Sequence, residues 1–222
     1  MDASFIRLLQ LSSSALPVGG FTYSQGLEWA VECGWITDEQ SLQAWLTDLM
    51  TSNLGQLDIP VLVRMRLACE QHDQAQLDYW CQHLFAYRET AELRLEEKNR
   101  GRALTRLLVD LHVANAESWQ QTINQSQLAG LALASSAWEI PEQQLIHGYG
   151  WSWLENMVIS GVKLIPLGQL AGQRILFELA ETLSIEVQRG ITLEDEQIGS
   201  SAPALAYASA KHETQYTRLY RS

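Results

Sequence analysis

Apolar residues recur along this chain at helical spacing and almost nowhere alternate with polar ones. Leu42, Trp45, Leu46, Leu49 and Met50 fall at i, i+3, i+4, i+7 and i+8, one stripe of an amphipathic helix. Thr37 followed three residues later by Gln40 reads as the capping box that starts it. Leu176, Leu179, Ala180, Leu183 and Val187 repeat the stripe, with Gly190 placed to close that helix. Residues 60–71, 74–87, 89–113, 126–138 and 142–164 carry the same period, and Pro60, Pro141 and Pro166 stand at first-turn or boundary positions. No run alternates strictly between turn signals, as a strand requires, and no long segment repeats. The pattern predicts an all-α, single-domain helical bundle of roughly eight to ten helices.

The period fades near the end. Residues 199–210 are small and weakly patterned, which predicts a linker or a helix that is marginal alone. The expected division is an all-helical domain over 1–198 and a flexible, partner-binding tail over 199–222. Tyr216, Leu219 and Tyr220 give that tail apolar anchors for which a purely solvated terminus has no use.

One loop stands apart from the helical background. Leu16-Pro17-Val18-Gly19-Gly20-Phe21-Thr22-Tyr23-Ser24-Gln25-Gly26-Leu27-Glu28 runs from a proline and three glycines straight into a helical pattern. Glycine permits backbone angles that other side chains forbid, so the segment can bend sharply at the surface, where sites are often built. The same composition also serves a plain interhelical turn. It lacks the G-x-x-x-x-G-K-[ST] order of a phosphate cradle.

Two later segments join it. Gly161-Val162-Lys163-Leu164-Ile165-Pro166-Leu167-Gly168-Gln169 is followed by Gly172-Gln173, and the chain closes on Lys211-His212-Glu213-Thr214-Gln215-Tyr216-Thr217-Arg218-Leu219-Tyr220-Arg221-Ser222. In this order the three segments resemble the signatures of the UreF family of urease accessory proteins. The resemblance implies an all-helical, non-catalytic homodimer that acts as a chaperone in nickel insertion. Its expected partners are the accessory protein UreD (also called UreH), the GTPase UreG and, through the complex, apo-urease. Carried over by motif, Pro17, Gly19, Gly20, Tyr23, Ser24 and Glu28 belong to the dimer or GTPase-facing surface, and Lys163 joins the GTPase-facing surface. His212, Glu213, Thr214, Tyr216, Arg218, Leu219, Tyr220 and Arg221 lie in a tail expected to order on binding UreD. Thr22 stands where the family commonly has serine, and Pro203 to Ala210 is alanine-rich where the family more often has an acidic, methionine-containing run.

Charge narrows the partner classes. With 26 acids against 15 bases the net charge is −11, which argues against nucleic acid. The last twelve residues invert this: Lys211, Arg218 and Arg221 against Glu213 give +2 and leave −13 elsewhere. Such a tail suits an acidic surface, on the chain itself or on a partner. No apolar run approaches the length of a membrane span and no leader pattern is visible, so a cytoplasmic protein is expected. Cys33, Cys69 and Cys81 sit in apolar or helical contexts and are expected to be buried, reduced thiols.

Catalytic and metal chemistry find little to work with. His72, His83, His112, His147 and His212 are scattered, and Cys81 and His83 diverge by about 200° on a helix. Only His212 and Glu213 are neighbouring donors, so no metal site and no cofactor is expected. Ser24 has no base that the sequence positions beside it. Glu96 and Glu97, in Arg94-Leu95-Glu96-Glu97-Lys98-Asn99-Arg100, are expected on a solvated, charged helix face, as are Arg100 and Arg102 around Gly101. Lys163 is the only charge between Met157 and Pro166, so it snorkels, pairs with a carboxylate or stands beside an apolar contact patch. Glu28 is a further carboxylate for the loop surface. A scaffold is the main reading, with a nickel carrier and a helical enzyme as alternatives.

Overall fold

A computed structural model describes residues 3–199 and 201–222. All regular structure among the described residues is helical: α1 (Ala3–Leu11), α2 (Leu27–Glu32), α3 (Glu39–Leu49), α4 (Ile59–Glu70), α5 (Gln74–Ala86), α6 (Ala91–Asp110), α7 (Gln120–Ile123), α8 (Gln127–Ala137), α9 (Glu142–Leu164), α10 (Gln169–Ile191) and α11 (Pro203–His212). Short 3₁₀ turns cover Gly20–Thr22 and Asp195–Gln197.

The centre is α8, apolar nearly all round and buried from Gln127 to Ser135, as a core helix must be. It packs against α4 and α6, while α9 and α10 form a long antiparallel hairpin alongside. Between α3 and α4 the ladder widens into a π-helical segment, Met50–Asp58, where the Ile59 N–H reaches back five residues to the Leu54 carbonyl. Its last residue, Asp58, is thereby buried at the bundle centre. Such widened turns are frequent at functional sites.

Several sequence expectations shift. The cap of α3 is one residue later than Thr37: Asp38 accepts from the Ser41 N–H, and the Ser41 hydroxyl accepts from the Asp38 N–H. Gly190 does not end α10, which runs on to Ile191. A Cβ at Gly190 would lie 2.7 Å from Ile59 Cγ2 and 2.8 Å from the Gly55 carbonyl, so the glycine serves close packing. Cys33 is exposed, whereas Cys69 and Cys81 are buried as expected. Of the linker or marginal helix expected over 199–210, the structure has the helix: residues 203–212 form α11, packed on α2 and α6. No helix among the described residues is long and apolar enough to cross a membrane.

Candidate functional site

The glycine-rich loop and the tail meet. α11 begins with Pro203 in its first turn and continues through four alanines, the best helix-forming residue. A ten-residue helix is marginal by itself, so packing must supply its stability. That packing depends on Gly26, whose φ of +77° is the left-handed conformation glycine adopts freely. A Cβ there would stand 2.9 Å from the Ser209 nitrogen and 3.1 Å from the Ala208 Cβ. Ala208, Ser209 and His212 are consequently fully buried. The Ser209 hydroxyl lies 2.7 Å from that of Thr90, the residue that caps α6.

From His212 the chain turns back along α2 and α6. The His212 ring is enclosed by two carboxylates: Nδ1 lies 2.7 Å from Glu92 Oε2 and Nε2 lies 3.1 Å from Glu28 Oε2. Glu28 sits in the first turn of α2, where the helix dipole favours a negative charge. Its Oε1 accepts the Leu219 N–H at 2.6 Å and its Oε2 the Tyr220 N–H at 2.8 Å. Arg218 donates to Glu92 Oε1 at 2.6 Å. Beyond it, the Arg221 N–H donates to the Thr22 carbonyl at 2.8 Å. Ser24 donates through both its N–H and its hydroxyl to the Ser222 main-chain oxygen, each at 2.6 Å. Burial pushes the Tyr220 phenol above its ordinary range.

The seat continues inward through side chains. Glu96 takes the Ser222 hydroxyl on Oε2 at 3.1 Å, and Gln25 and Arg100 on Oε1 at 3.0 and 2.8 Å. Gln25, itself held at φ +51°, accepts the Trp153 indole N–H at 3.0 Å. One residue along α6, Glu97 accepts from Arg88 at 2.9 Å and from the Ser126 hydroxyl at 2.6 Å. That approach needs Gly101, where a Cβ would lie 2.7 Å from the Asn124 carbonyl. Arg88 also donates to Asp58 at 2.9 Å, and Asp58 accepts from the Tyr149 hydroxyl at 2.9 Å. Burial raises the Asp58 carboxyl above its ordinary range despite Arg88. For Arg88, burial opposes the charge, but Asp58 and Glu97 outweigh it and hold the guanidinium firmly protonated.

These positions revise the sequence reading. Glu96 and Glu97 are both buried, Glu96 because it faces the loop and tail with Arg100 beside it, Glu97 because it faces Arg88 and the Ser126 cap of α8. Glu92, Glu96, Arg100 and Gln25 were not among the candidates. Their signal is the spacing of Glu92, Glu96 and Arg100 at i, i+4 and i+8, one polar stripe along a helix that is otherwise half-buried. Tyr23 and Ser24 are buried, Tyr23 taking the Asn99 amide on its hydroxyl at 3.3 Å, while Pro17 is exposed and Gly19 and Gly20 are half-buried. Glu213 accepts the Ala91 N–H at 3.1 Å at the start of α6, and the Thr214 hydroxyl donates to the Lys211 carbonyl.

Two large hydrophobic side chains of the tail face outward: Tyr216 is fully exposed and Leu219 is 68% exposed. Lys163 stands elsewhere, exposed in the last turn of α9 beside Ile159 and Pro166, and makes no ion pair among the described residues. The structure therefore joins the loop to the tail, and no hydrogen bond or ion pair among the described residues ties Lys163 to either.

The arrangement lies at the two ends of a sequence with extensive relatives. The sequence model of the UreF family matches residues 36–180. The chain is 50% identical to the urease accessory protein UreF of Alcanivorax borkumensis over all of this chain and 99% of that one. It is 50% identical to the protein of the same name in Pseudomonas putida strain W619, again over all of this chain and 99% of the other. The Klebsiella pneumoniae protein of that name is 46% identical, over 98% of this chain and 97% of its own. With a family match over most of its length and full-length relatives at half identity, the chain belongs to the UreF family.

Proposed function

We propose that this chain is a non-catalytic urease-maturation scaffold of the cytoplasm. In this reading it works as a homodimer, binds UreD and recruits the GTPase UreG for GTP-dependent nickel insertion into apo-urease. The observation that carries the reading is the joining of the glycine-rich loop and the tail into one surface. A buried polar seat fixes the backbone of residues 218–222, and Tyr216 and Leu219 are left pointing outward. Exposed large side chains on a segment whose backbone is seated on the body suit a protein partner, since the docked tail presents both at once.

The docked tail alters one part of the expectation from sequence. Residues 203–222 lie ordered on their own body, so in this proposal UreD reads a tail that is already in place. Lys163, exposed beside Ile159, is the proposed contact for the GTPase.

The test is size-exclusion chromatography with light scattering on this chain, UreD and UreG, mixed with a GTP analogue. A single peak holding two copies of the chain is expected; persistently separate peaks from folded components refute the scaffold. The double variant Tyr216→Ala, Leu219→Ala should abolish UreD capture without loss of helicity. Lys163→Ala should weaken UreG recruitment alone.

A further inference from the structure

Helix α6 carries polar residues on two opposite sides. Glu92, Glu96 and Arg100 form the side that meets the tail and its seat. Arg94, Lys98 and Arg102 each follow one of these by two residues, about 200° round the helix, and all three are exposed. Arg106, also exposed, extends the row, so four cations stand at i, i+4, i+8 and i+12 over about 18 Å of helix. The first two lean on an aromatic ring: Arg94 Cζ and Lys98 Nζ lie 5.7 and 4.6 Å from the Phe85 centroid. Arg94 also donates through Nε to the Arg88 carbonyl at 2.6 Å. None of the four makes an ion pair among the described residues.

That is an unfavourable placement in a chain rich in carboxylates. There are 26 acids for 15 bases, and seven arginines find a carboxylate partner within the fold. Of the eight cations left, four share this row. Like charges four residues apart on a helix repel, and nothing in the fold relieves them. Glu89 and Asp110 bound the row in sequence, and neither pairs with it. A local conflict of this kind, uncompensated inside the molecule, points to a use outside it.

We infer that the row is a docking ridge for an acidic helix of a partner protein. A helix with Glu or Asp at i, i+4 and i+8 presents carboxylates at the same rise of about 6 Å per step, and guanidinium forks accept them in bidentate pairs. Leu95, 55% exposed beside the row, adds an apolar contact that such a helix can cover. Phosphate would suit the guanidinium groups equally well. The rest of the chain, however, carries a net charge of −15 and repels an extended polyanion, whereas an acidic helix can end within the ridge.

The ridge does not depend on the scaffold reading and is tested on the full chain alone, by fluorescence anisotropy at low salt. The probe is a fluorescein-labelled helical peptide of glutamine and alanine with glutamates at i, i+4, i+8 and i+12. A control of the same composition has them at i, i+2, i+4 and i+6, which divides them between two faces of its helix. The row peptide should bind more tightly than the control, by about two- to fivefold for each of the two further pairs it can form. The advantage should shrink as salt is raised. The double variant Lys98→Gln, Arg102→Gln leaves the Arg94 bond to the Arg88 carbonyl in place. With helicity unchanged by circular dichroism, it should weaken the row peptide by about two- to fivefold for each cation removed. Equal affinity for the two peptides, no binding of either, or a variant that binds as the parent chain does overturns the ridge. Tighter binding of an oligonucleotide of the same charge, or of phosphatidylserine vesicles, overturns its assignment to a protein helix.

Discussion

Substituting Gly26 by alanine isolates the contact on which docking of α11 depends. Two costs are involved. The first is conformational, since φ is +77° and an L-residue in the left-handed region costs about 1–2 kcal/mol. The second is steric, since the new Cβ would stand 2.9 Å from a backbone nitrogen of α11 and 3.1 Å from the Ala208 Cβ. Backbone cannot swing aside as a side-chain end can, so α11 has to move, at about 1–3 kcal/mol for an overpacked core position. Gly34 separates the two terms. Its φ is +82°, and a Cβ there meets nothing within 4 Å, so Gly34→Ala incurs the conformational cost alone. Urea unfolding of both variants should place Gly26→Ala about 1–3 kcal/mol below Gly34→Ala, the difference being the steric term. The same displacement should speed tryptic release of the tail in Gly26→Ala and leave it unchanged in Gly34→Ala. Equal unfolding free energies with equal tail release would show that α11 does not bear on Gly26, and the account of the seat would fail.

Further outcomes follow from the buried ions, the helix cap and the thiols. Arg88→Met leaves Asp58 and Glu97 buried without their shared cation and should cost about 3–5 kcal/mol by denaturant unfolding at pH 7. Burial already holds the Asp58 carboxyl above its ordinary range, so its protonation favours the folded state. The Arg88→Met deficit should narrow from pH 7 to pH 5, and a deficit that widens would contradict the assignment. Thr90→Ala removes the α6 cap and the partner of the Ser209 hydroxyl, an expected loss of about 1–2 kcal/mol with faster tail release; an effect on stability without one on the tail would confine Thr90 to capping. A thiol reagent at pH 8 should modify Cys33 alone in the native chain, because burial pushes the Cys69 thiol up to about 12 and raises Cys81 further. Two or more fast thiols would show that the α4–α5 packing is looser than described.

The sequence disclosed most where apolar periodicity and a proline boundary coincide. Helix α9 occupies the predicted 142–164, with Pro141 at its amino end and Pro166 beyond its last turn. It disclosed least where both faces of a helix are of one kind. In α11 the run Pro-Ala-Leu-Ala-Tyr-Ala-Ser-Ala has little contrast between its faces, so nothing in the period announces that Leu205, Ala208, Ser209 and His212 are buried. The π-helical segment escaped notice for a related reason: one inserted residue resets the phase without breaking the apolar content. Glu96 and Glu97 were assigned to solvent because charge normally faces water. Periodicity cannot reveal that the surfaces opposite them are themselves polar: Gln25 and the Ser222 hydroxyl for Glu96, Arg88 and the Ser126 hydroxyl for Glu97. The loop and the tail were both singled out from sequence; that they are two halves of one seat depends on three-dimensional closure.

That closure has an energetic character that bears on how a partner could use it. The seat grips residues 218–222 almost entirely through hydrogen bonds and ion pairs, with Tyr220 the one large buried side chain among them. Each such bond is worth only about 0.5–1.5 kcal/mol net, or about 1.5–3 where a charge takes part, and ordering each residue costs about 1–2 kcal/mol. Docking is thus a near balance between terms of similar size, unlike the burial of α8, which opens only with the whole bundle. A segment held in near balance responds to small free energies. A partner that contacts Tyr216 and Leu219 only in the docked geometry pulls the equilibrium toward docking by its differential affinity. Linkage then requires the docked population to rise when such a partner binds. Hydrogen exchange at the Leu219 and Tyr220 N–H groups, which Glu28 accepts, should therefore slow in the partner-bound chain. Exchange at these two groups that is indifferent to a partner capturing the chain through Tyr216 and Leu219 would show that the partner does not read the docked tail.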